Sequence, residues 1–459
     1  MEAQYKKRKQ ELLDECQVAP QIFAGVLSRL ETFMEPFVES LVRKEQVAHA
    51  RTFVQGLLSD LDHKNVESIA YRFGQERLPL QWFIGFSDWD HGPVRDELVR
   101  QVGRMLGDDD GVLVLDPSGF PKSGRESVGV ARQWCGRLGK IDNCQVAVFM
   151  GYVSRHGHAL VDTRLYLPKE WASDRQRRKK AGVPPEVRYR TRHQLCWEML
   201  KQNGAVLPHA WLTGDDEMGR PYWFRRDLHT LGERYLLAVA SNTLVRDLEA
   251  EPPPYSGFGR PPKRRWTRVD QWVASRSDGK WIQIDVRDGA KGPLVVEATK
   301  CRVVARTEKQ QEGHAEVLVV IRYRDRDDQR VIKTDYYLSN ASPETRLAEF
   351  ARVAKAEHRI EECIQRAKSE AGLADYEVRN WKGWHHHQVL SLVATWFLVT
   401  EARRGKKMDT GHHGSTDSRT PLADPASRVR MRYDLTNPAR MRTKAQAKRT
   451  RPLAPLEAA

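Results

Sequence analysis

Two apolar runs, each closed by an aspartate, constrain this chain more than anything else in it. One is Gly111-Val-Leu-Val-Leu-Asp116 and the other Ala210-Trp-Leu-Thr-Gly-Asp215. Short runs of this kind, bounded by turn residues, read as strands buried on both faces. An acid at the end of such a strand lies where the sheet opens to solvent. A third acid, Glu361, falls in Arg359-Ile-Glu-Glu-Cys-Ile-Gln-Arg-Ala-Lys368, a stretch with helical spacing of apolar residues. Seen alone, a strand-terminal Asp is usually a turn or cap residue, and a helical Glu a solvated one. Together, two neighbouring strand ends and a facing helix can hold a pair of divalent ions, the arrangement that breaks and joins phosphodiester bonds.

The segments around these acids set an order. Val112 to Asp116, Gln145 to Ser154 and His158 to Leu167 read as strands, the last two joined by the turn Arg155-His-Gly157. Thr191 to Asn203 reads as a helix, Trp211 to Asp215 as a strand, Pro221 to Leu231 as a helix and Tyr235 to Ala240 as a strand. The resulting β-β-β-α-β-α-β order matches the start of a ribonuclease-H-like α/β fold, whose first and fourth strands are neighbours. Asp116 and Asp215 end those two strands.

Four regions are expected. Residues 1–106 form an α-helical N-terminal domain that either touches DNA or serves as a structural bundle; helical periodicity is clear over Arg43 to Asp60, Asn65 to Phe73 and Pro93 to Leu106. Residues 107–250 and 340–400 form the catalytic core. Residues 251–339 form a β-rich insertion that opens on the linker Glu251-Pro-Pro-Pro-Tyr-Ser-Gly-Phe-Gly-Arg-Pro-Pro262. Residues 401–459, with 14 Lys and Arg against 6 Asp and Glu, read as a disordered basic tail. Asp215 and Glu361 are 146 residues apart, and the insertion accounts for most of that interval.

Charge points to the partner. The chain has 459 residues, a formal net charge of +15 and a pI of about 9.5. Such a balance favours a polyanion, since Lys and Arg neutralise phosphates and release their counterions. The six cysteines lack zinc-finger spacing and read as reduced thiols of a cytoplasmic protein. No signal peptide is visible at the N-terminus, and the apolar run Val389 to Thr400 is too short to span a bilayer.

With these residues in place the chain resembles the DDE transposases of bacterial insertion sequences, in the type with a β-rich insertion before the glutamate and a DDE-superfamily endonuclease domain. The carrying segments are Leu113-Val-Leu-Asp116-Pro-Ser-Gly-Phe-Pro-Lys-Ser-Gly124, Trp211-Leu-Thr-Gly-Asp215-Asp-Glu-Met-Gly219, Glu361-x6-Lys368 and Gly372-Leu-Ala-Asp-Tyr-Glu-Val-Arg-Asn-Trp-Lys-Gly-Trp384. The resemblance spans residues 30 to 400. It implies a catalytic, metal-binding triad of Asp116, Asp215 and Glu361, holding two Mg²⁺ ions with Mn²⁺ able to substitute. It also implies binding of double-stranded DNA at the terminal inverted repeats, end cleavage, transfer of the 3′-OH strands to target DNA, and a homodimer in the DNA complex. The bacterial cytoplasm, at the nucleoid, is the expected location. Many such proteins carry Tyr-x2-Arg before the glutamate; here those positions hold Ala354 and Glu357. A non-catalytic DNA-binding relative, or a ribonuclease-H-type nuclease without strand transfer, is the alternative.

Further residues are candidates for DNA contact. Lys122 lies in the loop after Asp116, and Lys368 lies two turns beyond Glu361 on the same helix face. Arg175 and Arg178 belong to a basic stretch read as loop, and Trp384 has a ring that could stack on a base. Asp216 is the fallback for Asp215, and Glu362 and Glu370 are fallbacks for Glu361. The His385-His-His387 run fits a structural or backbone-contacting role better than zinc, since consecutive helical residues point apart.

Overall fold

The computed structural model describes residues 24–276, 280–289, 292–325 and 329–410. Five helices come first: α1 (Val26–Val38), α2 (Lys44–Leu57), α3 (Val66–Arg72), α4 (Arg77–Gly85) and α5 (His91–Leu106). Side-chain caps fix two of their starts. Asn65 accepts from the Ser68 N–H at 2.8 Å, and Asp90 accepts from the Gly92 N–H at 2.8 Å.

A meander follows, made of β1 (Val112–Pro121), β2 (Ala131–Cys135), β3 (Lys140–Ser154) and β4 (Gly157–Leu165). Two short helices, α6 (Lys169–Ser173) and α7 (Arg175–Lys180), lead to α8 (Arg192–Asn203). Then come β5 (Trp211–Gly214), α9 (Asp216–Gly219), α10 (Tyr222–Leu231) and β6 (Tyr235–Ala238). β1 runs antiparallel to β3 and parallel to β5, and β5 runs parallel to β6. The outer edge of β3 is shared: its first part pairs with β2 and its later part with β4. β1 reaches five residues beyond the expected end because β3 stays alongside it as far as Pro121 opposite Cys144.

The insertion does not form a separate β unit. After β7 (Leu244–Asp247), β8 (Thr267–Arg268) and α11 (Val269–Ala274) come β9 (Ile282–Gly289), β10 (Gly292–Arg306), β11 (Glu312–Arg324) and β12 (Val331–Ser339). β12 pairs with β6, so the sheet continues as β2-β3-β1-β5-β6-β12-β11-β10-β7-β8, twelve strands in all with β4 and β9 beside this path. Exposed edges invite pairing, and β12 covers the edge that β6 would otherwise present. A buried ion pair braces the junction. Arg225 of α10 donates to Glu316 of β11 from Nε at 2.9 Å and Nη2 at 3.3 Å, and the Tyr235 hydroxyl donates to the same carboxylate at 2.6 Å.

Two long helices close the chain: α12 (Leu347–Glu370) and α13 (Trp381–Thr410). The N-terminal helices share one hydrophobic core with them and with the sheet. Phe33 meets Phe397, Phe53 meets His387, and Trp89 stacks on His386 at 3.7 Å between ring centres. Gly372, in the left-handed region at φ 62°, makes the turn out of α12; a Cβ there would come within 2.8 Å of both Leu57 and Lys64. α13 runs to Thr410, ten residues into the expected tail; the rest of the tail lies outside the described residues. Among the described residues no helix is long and apolar enough to cross a membrane, and Cys135, Cys144, Cys196, Cys301 and Cys363 are buried and outside any disulfide.

Candidate active site

The last paired rung between β1 and β5 joins Leu115 to Gly214. Asp116 is the next residue of β1, and Asp215 directly follows β5. Beyond that rung the two chains part: β1 continues along β3, while Asp215 starts α9 by accepting from the Met218 N–H at 3.1 Å. Asp216 turns outward to an exposed pair with Arg220 at 3.1 Å, so Asp215 is the acid that faces the site.

Helix α12 lies across this strand end, touching β1, β3, β4, β5 and β6. Both ends are pinned. Trp211 donates from Nε1 to Glu349 at 2.7 Å near the start, and Lys64 donates from Nζ to the Glu370 carbonyl at 2.6 Å near the finish. The seat is close at its centre: a Cβ on Gly151 would stand 2.3 Å from Ile360. Glu357 and Glu361 flank that contact, four residues apart on one face of the helix.

The electrostatics record this convergence. Burial, and then the charges of Asp215 and Glu361, push the Asp116 carboxyl up to about 8. Burial raises Asp215 to about 7, against the Met218 N–H that favours its charged form. Burial, and then Asp215 and Asp116, raise Glu357 to about 8. Glu361 differs. Its side chain is 75% exposed and faces His358 Nδ1 at 3.7 Å, a contact that holds the carboxyl below its ordinary value. His358 also reaches Glu362 at 3.3 Å, and the two acids lift the imidazole to about 9.

These groups suit a hard, oxygen-loving cation. Carboxylates that repel one another at neutral pH are relieved by a divalent charge, and the donors are all oxygen. Among the described residues no three such side chains are yet drawn around a single point; Glu361 is turned toward His358.

A family model described as DDE superfamily endonuclease matches residues 36–293. The chain belongs to this superfamily. The matched stretch of this DDE endonuclease contains both aspartates and stops before α12. Over 203 residues the DDE endonuclease is 34% identical to the probable transposase for insertion sequence element IS701 of Microchaete diplosiphon. That match covers 42% of this chain and 49% of the relative, so it spans about half the length of that protein. Among solved structures, a piggyBac transposase synaptic complex with hairpin DNA aligns over 86% of this chain and 76% of that chain, at 11% identity and a TM-score of 0.39.

The remaining expected residues of the DDE endonuclease meet different fates. Lys368 does reach the site: its Nζ donates to Ser118 Oγ at 2.8 Å, two residues past Asp116, and burial brings the ammonium down to about 8. Arg175 lies exposed on α7, which forms where a loop was expected because Asp174 caps it by accepting from the Arg177 N–H at 2.8 Å. Three others are engaged inside the fold. Trp384 is fully buried in the core, where no base can stack on it. Arg178 spends its guanidinium on the carbonyls of Pro184 and Val187, at 2.9 and 2.7 Å, so it holds the following turn. Lys122 donates to the Tyr376 carbonyl at 3.1 Å and lies 3.5 Å from the centre of that ring.

The three histidines are core residues. His386 sits 2.9 Å from the carbonyls of both Ile84 and Trp89, and burial drives it to about 4; His387 contacts the Gly372 carbonyl at 2.9 Å and falls to about 3. Sequence reading missed Glu357, which stood only as a departure from Tyr-x2-Arg. Its spacing of one helical turn from Glu361 was the available signal.

Proposed function

We propose that this DDE endonuclease is a DNA transposase. On this reading it binds the terminal inverted repeats of an insertion sequence, hydrolyses the phosphodiester at each end and transfers the freed 3′-OH strands to target DNA. The observation that carries the proposal is the pair Asp116 and Asp215, each the residue after the last rung that joins β1 to parallel β5, with α12 packed against both strands. The strand order β4-β3-β1-β5-β6, with β5 and β6 parallel to β1, supports a ribonuclease-H-like core.

Asp116, Asp215 and Glu361 would hold two Mg²⁺ ions, or Mn²⁺ in their place. Bound ions of this kind lower the pKa of water and neutralise the leaving oxygen. The chain's own contribution is placement. Asp116 stands between the other two acids, Glu361 swings in from His358, and Lys368 exchanges Ser118 for a phosphate oxygen beside the cut. Arg175 and the general positive charge draw in the DNA backbone. Two element ends must react together, so two copies of the chain would assemble on the DNA, at the nucleoid in the bacterial cytoplasm.

Incubation with labelled element ends, target DNA and Mg²⁺ tests the proposal. Joined products are expected. Cleavage without joining would move the assignment to a nuclease, and a mobility shift without cleavage would move it to a non-catalytic binder. At limiting Mg²⁺, cutting should rise between pH 6.5 and 8.5. Asp116 at about 8 and Asp215 at about 7 hold protons that a cation must displace, and those protons leave as the pH rises. A rate that is flat or falling over that range would argue against these acids as ligands.

A further inference from the structure

The chain between β7 and β8 takes no part in the acidic site. No helix or strand forms between Asp247 and Thr267. Connections of that length are uncommon in compact domains and are usually functional or mere linkers. This one is tied down at both ends. Leu244 pairs with Arg268 and Val245 with Thr267. Lys263 donates to Glu312 at 2.8 Å, Arg264 donates from Nε to the Ala250 carbonyl at 3.0 Å, and the Arg246 guanidinium lies 4.1 Å from the centre of the Trp266 ring. The segment is therefore an anchored arch. Its tip is a turn in which Gly257 and Gly259 both take φ 80° and the Tyr255 hydroxyl donates to the Gly259 carbonyl at 2.7 Å. A Cβ on either glycine would meet nothing within 4 Å, so backbone conformation, and not packing, calls for glycine there.

Positive charge gathers on this arch. From Glu251 to Arg268 five basic residues stand against one acid. Lys263 and Arg268 are held by Glu312 and Asp270, at 2.8 and 2.6 Å. Arg260 and Arg265 are exposed and, among the described residues, enter no ion pair. Phe258, two residues before Arg260, is 92% exposed. Pro261 keeps Arg260 out of the helical region, and Pro261-Pro262 favours continued extension. Arg260 thus stands on a thin, extended backbone, with no side chain before it and a compact ring after it. The B-DNA minor groove, about 6 Å wide, excludes a helix but suits such a backbone. Over A·T runs the groove is narrower and more negative, and it lacks the guanine amino group that marks G·C pairs. Proteins that bind there combine a cation entering the groove with an apolar side chain beside it, the pairing that Arg260 and Phe258 present.

We infer that this arch is a DNA contact in which Arg260 enters the minor groove of A·T-rich duplex while Arg265 rests on a backbone phosphate. The inference rests on the DNA-transposase reading above and adds to it a base preference seated away from the acids.

The test is fluorescence anisotropy of the full chain, without metal and over a range of salt, on two short duplexes of equal length, one with a central A·T run and one of G·C pairs only. Wild type should bind the A·T duplex about fivefold or more tighter. Arg260→Ala should bring the two affinities within about twofold of each other, and Arg260→Lys should lie between, since an ammonium is more strongly hydrated than a guanidinium. Arg265→Ala should weaken both duplexes alike and reduce the slope of log affinity against log salt by about 0.9. All three positions are exposed to change without loss of packing, and a thermal melt of each variant confirms folding. Equal wild-type affinities, or an unchanged preference in Arg260→Ala, would overturn the inference and leave the transposase reading standing. Failure to bind either duplex while element ends are still bound would do the same. Failure to bind any DNA, element ends included, would overturn that reading itself.

Discussion

Asp116→Asn and Asp215→Asn are each expected to lose at least ~10³-fold in end cleavage while binding element-end DNA within about threefold of wild type. A metal ligand supports several kcal/mol of charge stabilisation in the transition state, and each 1.36 kcal/mol is a factor of ten in rate. Glu361→Gln should show the same loss of cutting. The amides are nearly isosteric with the acids. In Asp116→Asn and Asp215→Asn they also remove a repelling charge from a crowded site, so the metal-free fold should keep its stability or gain some. This separates lost chemistry from lost structure. Substantial cutting in any one variant would remove that residue from the site.

The largest stability effect is expected far from the acids. Glu316→Gln should destabilise the protein by about 3–5 kcal/mol in chemical denaturation, because it strands a buried guanidinium. Arg225 is 2% exposed and Glu316 fully buried, so water cannot take over the lost partner. Arg225 also donates to the Gly219 carbonyl at 2.5 Å, in the short helix that Asp215 caps. The ion pair thus links the inserted strand β11 to the turn that carries Asp215. Replacing both partners with apolar residues should recover much of the loss, since a buried pair is costly to break but not to exchange. A loss below about 1 kcal/mol for Glu316→Gln would mean that the interface relaxes or admits water.

Much of the core was legible because its strands are buried on both faces and so appear as unbroken apolar runs. β1, β3, β4, β5 and β6 announce themselves this way, and α8 and α10 by their periodicity. The end of β1 was not legible: Pro117 and Pro121 argue against a strand, and only the long run of β3 beside them keeps it extended. β2, β7 and β8 are short and polar, and draw their definition from partners distant in sequence. Continuity of the sheet through β12 onto β6 is likewise a long-range pairing, so the insertion looked like a domain of its own.

The site divides in the same way. Asp116 and Asp215 follow from local pattern, because each directly follows a buried apolar run. The difference between Glu357 and Glu361 depends on how Ile360 seats against Gly151 and on which acids His358 engages, neither of which spacing reveals. Trp384, Arg178 and Lys122 have surroundings inside the fold that spacing does not show, for a related reason. Aromatic and basic residues serve cores and turns as readily as ligands, and only their surroundings tell which.

Stretches around residues 116, 215 and 361 would come together at one divalent-cation site. Iron-directed hydroxyl-radical cleavage tests it most directly: Fe²⁺ is loaded in place of Mg²⁺, ascorbate and peroxide are added, and the cuts in the polypeptide are mapped. Breaks clustered at these three stretches, suppressed by excess Mg²⁺ and absent from Asp116→Asn, are the expected result. Cuts at only one stretch, or cuts elsewhere that Mg²⁺ does not suppress, would contradict it.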